Sequence, residues 1–400
     1  MKHIEDYRDI VGDKVISKIF QESRCLYGKK VLHVNSSYQG GGVAEILDHL
    51  VPLMSDLGIE VDWRILHGSH DFFNVTKKFH NALQGEDINF SQLKKSVYTR
   101  TNRRFSSYSH VDHDVVIIHD PQPLPLIRYF KKRQPWIWRA HIDLSNPNPE
   151  VWDYLKQFII RYDRGVFSAQ DFISSDVNID SEVIHPSIDP LTVKNKEIDQ
   201  DTIDKYLNKY DIPDDKPIIS QISRFDKWKD PEGVIEVFDR VKEEVDCRLV
   251  LLGSMAIDDP EGPGIYENVM EKASDRDDII VINKESDILV NVVQRVSSVI
   301  LQKSLKEGFG LTVTEGLWKG SPVVASDVGG IPLQVDDEET GFLVDPEDYE
   351  EVAGRVVKIL KNPELGAKLG GSALSQVKEH FLITQQLLSW LKVLKTTLNC

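Results

Sequence analysis

Short apolar runs alternate along this chain with longer stretches whose apolar positions recur every three or four residues. The run 30–35 predicts a strand, and 43–57 carries apolar residues at helical spacing. Gly58 sits where a helix stops, and 59–66 alternates like a second strand. That succession is a β-α-β unit. Further strands are predicted at 114–120, 135–143, 164–170 and 181–189, with helix-compatible stretches between them. Strands separated by helices imply a parallel sheet covered on both faces.

The stretch 189–216 is polar and bounded by prolines, and predicts a connection carrying a short helix. A second series then begins, with strands at 217–224, 247–253, 278–283, 297–302, 321–327 and 341–345. Asp230 followed by Pro231 predicts a helix start, with Asp as N-cap and Pro at the first helical position, and Val234, Val237, Phe238 and Val241 supply the apolar stripe. The expected fold is α/β, two doubly wound Rossmann-like domains facing across a cleft at the carboxyl ends of their strands, where such sheets bind ligands. The stretch 383–398 is amphipathic in helical register, either a return helix or a partner-binding one.

Composition narrows the class. The chain has 400 residues, more than one hydrophobic core comfortably serves. Apolar residues make up 40% and charged residues 28%, ordinary for a globular protein in water, and no apolar run is long enough for a membrane span. The start, MKHIEDYRDIVGDKV, mixes both charge signs and predicts no export signal. Cys25, Cys247 and Cys400 are too widely spaced to suggest a disulfide framework or a zinc site, which fits a reducing cytoplasm. A net charge of -16 argues against nucleic-acid backbones as partners.

Four clusters could carry chemistry. The first is SLKEGFGLTVTEGLWKG, 304–320, with Glu307 and Glu315. As a hydrolase pair they sit badly: eight helical residues span about 12 Å, whereas glycosidase carboxylates lie about 5 to 9.5 Å apart. A better placement has Glu307 in the loop after strand 297–302 and Glu315 in the first turns of the next helix, gripping different parts of one long ligand. Gly308 and Gly310 would let backbone amides approach an anion at that helix N-terminus. Taken singly, an exposed glutamate and a dipole-favoured one explain the pair as well. The second cluster is Arg224 and Lys229, cations at a strand's carboxyl end suited to a diphosphate, with Lys227 as a competitor and surface ion pairing as the plainer account. The third is Gln39, Gly40, Gly41 and Gly42 between strand and helix; Glu45 stands where a dinucleotide fingerprint wants its last glycine, so a plain tight turn serves equally even with Asp62 downstream. The fourth is His119 with Asp120, and Arg139 with His141 and Asp143, at two strand ends. They could hold sugar hydroxyls or assist proton transfer, or be satisfied structural residues. None has a metal-ligand spacing.

Together the clusters resemble the retaining family-4 glycosyltransferases of glycosyltransferase-B fold. The resemblance rests on the spacing of Glu307 and Glu315, the pair Arg224 and Lys229, and the segments VVASDVGGIPLQV (323–335) and TGFLVDPED (340–348). Within that family the chain is most similar to the glycosyltransferring trehalose synthases, through HVNSSYQGGGVAEIL (33–47), HDPQPLPLI (119–127), WRAHIDLSNPN (138–148), HPSIDPL (185–191), ISRFDKWKDPEGVI (222–235) and GSMAIDDPEGPGIY (253–266). It departs from that branch at Ser326 and Asp327 and in the acidic VDDEET, 335–340.

The resemblance implies a retaining transfer of glucose from a nucleoside-diphosphate glucose, UDP- or ADP-linked, to free glucose, giving trehalose reversibly. A trehalose phosphorylase on the same scaffold and a non-catalytic nucleotide-sugar-binding regulator are the competing readings. His141, Arg224, Lys229 and Glu307 would be catalytic. Arg224 and Lys229 would neutralise the departing diphosphate, Glu315 would accept from the ribose hydroxyls, and Glu307 with Gly308, Phe309, Gly310 and Leu311 would hold the donor sugar. Gly41 and Gly42 would also meet the donor, while Gln39, Gly40, Asp120, Arg139 and His141 would shape the acceptor pocket. Residues 1–190 with a return helix at 380–400 would form the acceptor-side domain, and 191–379 the donor domain. No cofactor or metal is required, although a divalent-metal effect stays open. The expected partners are small-molecule sugars and a nucleotide-sugar, without nucleic acid or membrane, and with a homodimer allowed.

Overall fold

The computed structural model describes residues 2–38, 42–254 and 262–400. It divides into two compact units, Met1–Ser187 with Ile383–Cys400, and Ile188–Leu382.

The first unit is built on six parallel strands: β1 (Lys30–Asn35), β2 (Glu60–Ile65), β3 (Val115–His119), β4 (Trp136–Arg139), β5 (Arg164–Phe167) and β6 (Asp180–Val183), in the order β2-β1-β3-β4-β5-β6. β3, β4 and β5 are buried along their whole length, which is why they read as continuous apolar runs instead of alternating ones. The helix Gly42–Asp56 turns Ala44, Ile46, Leu47, Leu50 and Leu53 inward, and Gly58, at φ 78°, ends the turn that leads into β2. The helix Ile383–Leu398 packs on Asp13–Ser23 and Gly42–Asp56 and buries Leu387, Trp390, Leu391 and Leu394. At its start Gln386 accepts from Ser187 Oγ at 2.9 Å and donates to His185 O at 3.2 Å, so it is stitched to the end of the first unit's opening segment.

The second unit repeats the architecture with β7 (Ile218–Ile222), β8 (Arg248–Gly253), β9 (Ile279–Asn283), β10 (Val299–Gln302), β11 (Val323–Ser326) and β12 (Phe342–Val344), all parallel, in the order β12-β11-β10-β7-β8-β9. This is the doubly wound order in which the chain starts in the middle and winds outward both ways. The helix Pro231–Glu244 packs Val234, Val237, Phe238 and Val241 into the core as its stripe predicts. Asp230 caps it, accepting from Gly233 N at 3.1 Å, but from a left-handed backbone (φ 45°) instead of the usual extended one. The polar connection carries one helix, Gln200–Lys209.

The strand orders locate the places where ligands bind. In such sheets the crevice opens at the carboxyl ends of the two central strands whose outgoing connections diverge. These are β1 and β3 in the first unit, and β7 and β10 in the second. Among the described residues no helix is long and apolar enough to cross a membrane.

Candidate functional site

In the second unit the loops after β7 and β10 are knitted together by a buried amide. Gln221, on β7, donates through Nε2 to Lys229 O at 2.8 Å and accepts at Oε1 from Lys303 N at 2.9 Å. Leu305 N adds a bond to Trp228 O at 2.8 Å. The first loop is itself folded tightly. Asp226 accepts from Trp228 N and Lys229 N at 2.9 and 3.2 Å, making a single helical turn of Lys227–Lys229, and its other oxygen lies 3.1 Å from Arg224 Nη2. Lys303, fully buried just after β10, pairs with Asp230 and stands 4.1 Å above the Tyr349 ring. A buried ammonium is tolerated only when paired, so Lys303 fixes Asp230 and with it the end of the loop that bears Lys229.

Lys229 in turn pairs with Glu307, whose carboxylate also accepts from Ser304 Oγ at 3.3 Å. Arg224 is 44% exposed at its side chain, whereas Lys229 and Glu307 are mostly buried. The sequence-based assignment to one cluster therefore meets a physical one: a cation already desolvated and held by a carboxylate, beside an arginine open to solvent. Lys227 lies over the Trp228 ring, 4.8 Å from its centroid.

Gly310, at φ 86°, is the N-cap of the helix Leu311–Trp318 and has no side chain to cap it. Val313 N bonds back to Gly310 O at 2.9 Å, and with no capping side chain the first amides of the helix stand at the positive end of its dipole, where an anion is favoured. Close packing explains the glycines opposite. A Cβ on Gly329 would land on the Glu307 carbonyl, and one on Gly330 would lie 2.7 Å from Gly308 O and 2.9 Å from Phe309 Cα. Phe309 is buried, and its carbonyl accepts from Gln334. Glu315, one turn into the helix, is also buried: Gln294 Nε2 donates to it at 3.2 Å and Lys194 Nζ lies 3.7 Å away. Behind it, burial brings the Lys319 ammonium down to about 7, where it donates to Asn195 Oδ1 at 3.0 Å.

In the first unit three histidines, two on the adjacent strands β1 and β3 and one just past the end of β4, stand in file at the switch point. His33 on β1 bonds through Nδ1 to His119 Nε2 at 3.0 Å, and His119 Nδ1 bonds to His141 Nε2 at 2.9 Å. The rings stack, with centroids 5.3 and 5.2 Å apart. Burial holds His33 down to about 3, and burial, with neighbouring histidine and the Arg139 charge, keeps His119 and His141 well below the usual imidazole value. All three are neutral at pH 7.

Asp120 adopts φ 62°, a left-handed backbone rare outside glycine and asparagine, with Pro121 next. It is pinned there by Asp120 N to Arg139 O at 2.8 Å, and it receives His141 N at Oδ1, also at 2.8 Å. Burial raises its carboxyl to about 6 despite that amide and the nearby Arg139 charge. Arg139 is fully buried and donates through Nη2 to Ser168 Oγ at 3.1 Å and Ile184 O at 2.9 Å. It bears on the site through Asp120 and the strand ends, with no face of its own to solvent.

Gln39, Gly40 and Gly41 lie outside the described residues; Gly42 opens the helix Gly42–Asp56. Asp62, downstream of the glycine turn, pairs with Arg64 and His113. Sequence reasoning missed His33, Gln221, Lys303 and Gln294. A histidine inside an apolar strand (VLHVN) and a lysine straight after one (VILQK) are the signals that could have drawn attention to two of them. Among the described residues no group of three or more histidine, cysteine, aspartate or glutamate side chains is placed so that it could hold a metal ion.

Comparison with known proteins agrees with both halves. Residues 33–174 match the family described as trehalose synthase, N-terminal domain, and residues 202–375 match glycosyl transferases group 1. The chain is 44% identical over 402 aligned positions to the trehalose synthase of Thermococcus litoralis, covering 99% of this chain and 97% of that protein. It is 28% identical to the trehalose phosphorylase of Pleurotus pulmonarius, covering 97% of this chain but 60% of that one. A UDP-forming trehalose-phosphate synthase structure from Burkholderia xenovorans superposes with a TM-score of 0.73 at 16% identity, over 93% of this chain and 99% of that one, a likeness of fold. With two parallel doubly wound sheets and near full-length similarity to its relatives, the chain is a glycosyltransferase of glycosyltransferase-B fold and belongs to the trehalose synthase family.

Proposed function

We propose that this glycosyltransferase moves glucose from a nucleoside-diphosphate glucose to free glucose, with retention at the anomeric carbon, to make trehalose, and runs in reverse when nucleoside diphosphate is abundant. The observation that carries the reading is the placement of Lys229, Glu307 and the uncapped helix N-terminus after Gly310 at one switch point. A cation beside a helix N-terminus is the combination that suits a diphosphate. Similarity to trehalose synthases over nearly the whole chain supports the choice of sugars.

In this mechanism the bond between the donor's anomeric carbon and the diphosphate oxygen breaks, and a hydroxyl oxygen of the acceptor glucose bonds to that carbon from the same face. The acceptor's proton passes to the departing phosphate. No protein nucleophile is used. Lys229 leaves Glu307 for the diphosphate as negative charge grows there, and Arg224 adds a second contact from the solvent side. Glu307, released, accepts from donor-sugar hydroxyls together with the backbone of Gly308 to Leu311, and Glu315 accepts from the ribose. Asp120 orients the acceptor, Arg139 supports it, and His141 contacts the donor sugar beside the reacting carbon. Catalysis is chiefly positioning and stabilisation of leaving-group charge. No metal is assigned a role.

The test is a donor panel of nucleoside-diphosphate glucoses with glucose as acceptor, the linkage of the product being read by NMR. An α,α-1,1 linkage from at least one donor is expected. Trehalose incubated with nucleoside diphosphate should return activated glucose. If inorganic phosphate alone does so, the protein is a phosphorylase; if donor binds and no common sugar stimulates nucleotide release, it is a binding protein.

A further inference from the structure

The file His33–His119–His141 has more members than the transfer needs. His141 is the half-buried end that the proposed reaction uses, but His33 is wholly buried and His119 nearly so. Two buried imidazoles, each from its own strand, are linked nitrogen to nitrogen behind it.

A neutral imidazole carries one N–H donor and one bare acceptor nitrogen, so a file of three has only two self-consistent polarities. In one, His33 Nδ1–H donates to His119 Nε2, His119 Nδ1–H donates to His141 Nε2, and His141 keeps its proton on Nδ1. In the other, every bond is reversed: His141 is protonated on Nε2, and His33 carries its proton on its own Nε2. The far end decides between them. His33 Nε2 is buried and has no hydrogen-bond partner among the described residues. The Trp390 ring meets His33 edge-on with centroids 6.1 Å apart. A buried N–H without an acceptor is rarer and more costly than an acceptor left bare. The first polarity leaves the bare acceptor there; the second leaves the orphan donor.

We propose that His33 and His119 are positioning residues that hold His141 in the Nδ1–H tautomer, so that the substrate meets a hydrogen-bond donor at that nitrogen and never an acceptor. The backbone contributes to the same end: His141 N is fixed to Asp120 Oδ1, which sets the ring's attachment while the file sets its proton. The charged groups around the file are the Arg139 guanidinium, which opposes protonation of His119 and His141, and the Asp120 carboxyl. The ligand class is a sugar oxygen with lone pairs to offer. This role for His141 rests on the transfer reading given above, whereas its tautomer does not.

The experiment is long-range proton–nitrogen NMR of the full chain labelled at histidine ring nitrogens, without substrate, combined with kinetics of two substitutions. In the unsubstituted protein all three histidines should be protonated on Nδ1. His119→Asn places an amide nitrogen where Nδ1 stood, so it should keep His141 on Nδ1 and hold kcat within about threefold. His119→Leu removes the donor, so His141 should populate the Nε2–H form and kcat should fall on the order of tenfold, the size of one lost hydrogen bond, with the donor KM little changed. A resting protein with His141 protonated on Nε2 overturns the inference, as does an equal loss in the Asn and Leu variants with no change of tautomer. If the Leu variant does not fold, the unsubstituted spectrum still decides. Should the protein lack transferase activity altogether, the transfer reading falls while the tautomer result stands.

Discussion

The Lys229 ammonium and the Glu307 carboxylate meet although 78 residues separate them, because each lies in a loop at the end of one of the two central strands of the second sheet. Their side chains are 14% and 12% exposed, so the pair is largely out of water and neither partner is easily left alone. In the proposed transfer, an incoming diphosphate that takes Lys229 would hand Glu307 to the sugar in the same movement. On that reading the ion pair is a preset exchange that the substrate would complete.

Lys229→Ala should lower kcat on the order of 10²- to 10³-fold, the range seen when a preorganised charge stabiliser is lost, and should weaken donor binding. Glu307→Gln should weaken donor binding with a smaller effect on kcat. Steady-state kinetics with saturating acceptor measure both, and unchanged kinetics for Lys229→Ala would remove the exchange.

Lys303→Met should act without touching substrate. It leaves Asp230 without its buried cation, and breaking such a pair costs about 3 to 5 kcal/mol. Asp230 holds the start of the helix Pro231–Glu244 and borders Lys229. Denaturant unfolding should show the loss, and the surviving folded enzyme should bind donor more weakly. A fully stable variant with normal donor affinity would show that Lys303 is dispensable.

Asp120 gives a pH dependence with a definite sign. Its carboxyl titrates near 6, above the ordinary value, so it loses its charge as pH falls through that region. A carboxylate accepts from sugar hydroxyls better than the acid does. The KM for acceptor glucose should therefore rise as pH drops from about 7 to about 5, with donor KM little affected. Asp120→Asn should have a high acceptor KM at every pH and lack that inflection; an inflection that persists would assign it to another group.

The glycines facing Glu307 should differ in cost. Gly310→Ala forces a side chain into a left-handed backbone, about 1 to 2 kcal/mol, and its Cβ would sit 3.2 Å from Glu307 Cγ, a side-chain atom that can shift. Gly329→Ala would drive Cβ into the Glu307 carbonyl, where the backbone must move. Thermal unfolding and donor affinity should both show Gly329→Ala as the more damaging; equal effects would mean that the loop accommodates both.

The elements were largely legible because parallel strands buried on both faces are written as unbroken apolar runs, and each predicted run holds or overlaps a strand, usually one to three residues shorter at its ends, although 181–189 keeps only β6, Asp180–Val183. β4 illustrates the trimming: the run predicts 135–143, but the strand is Trp136–Arg139, since Asp120 and Asp143 draw the following backbone into bends. Asp230–Pro231 was readable because capping is local in sequence. The site was legible in its charged members and not in their supports. Gln221, Lys303 and His33 act on residues many positions away, and nothing in a one-dimensional pattern records that β7 lies beside β10 or β1 beside β3. Sheet order is the missing quantity, and it arises from how crossover helices pack.

The helix Ile383–Leu398 has a consequence for the order in which the molecule comes into being. The second unit is one continuous segment, Ile188–Leu382, and has all its strands once that segment has emerged. The first unit is begun earlier but lacks the helix that covers Asp13–Ser23 and Gly42–Asp56 and sets Trp390 against His33. The first unit's core thus draws on both ends of the sequence, and the rear of its histidine file is covered by a residue made some 350 positions after His33, whereas the second unit's core comes from one unbroken stretch.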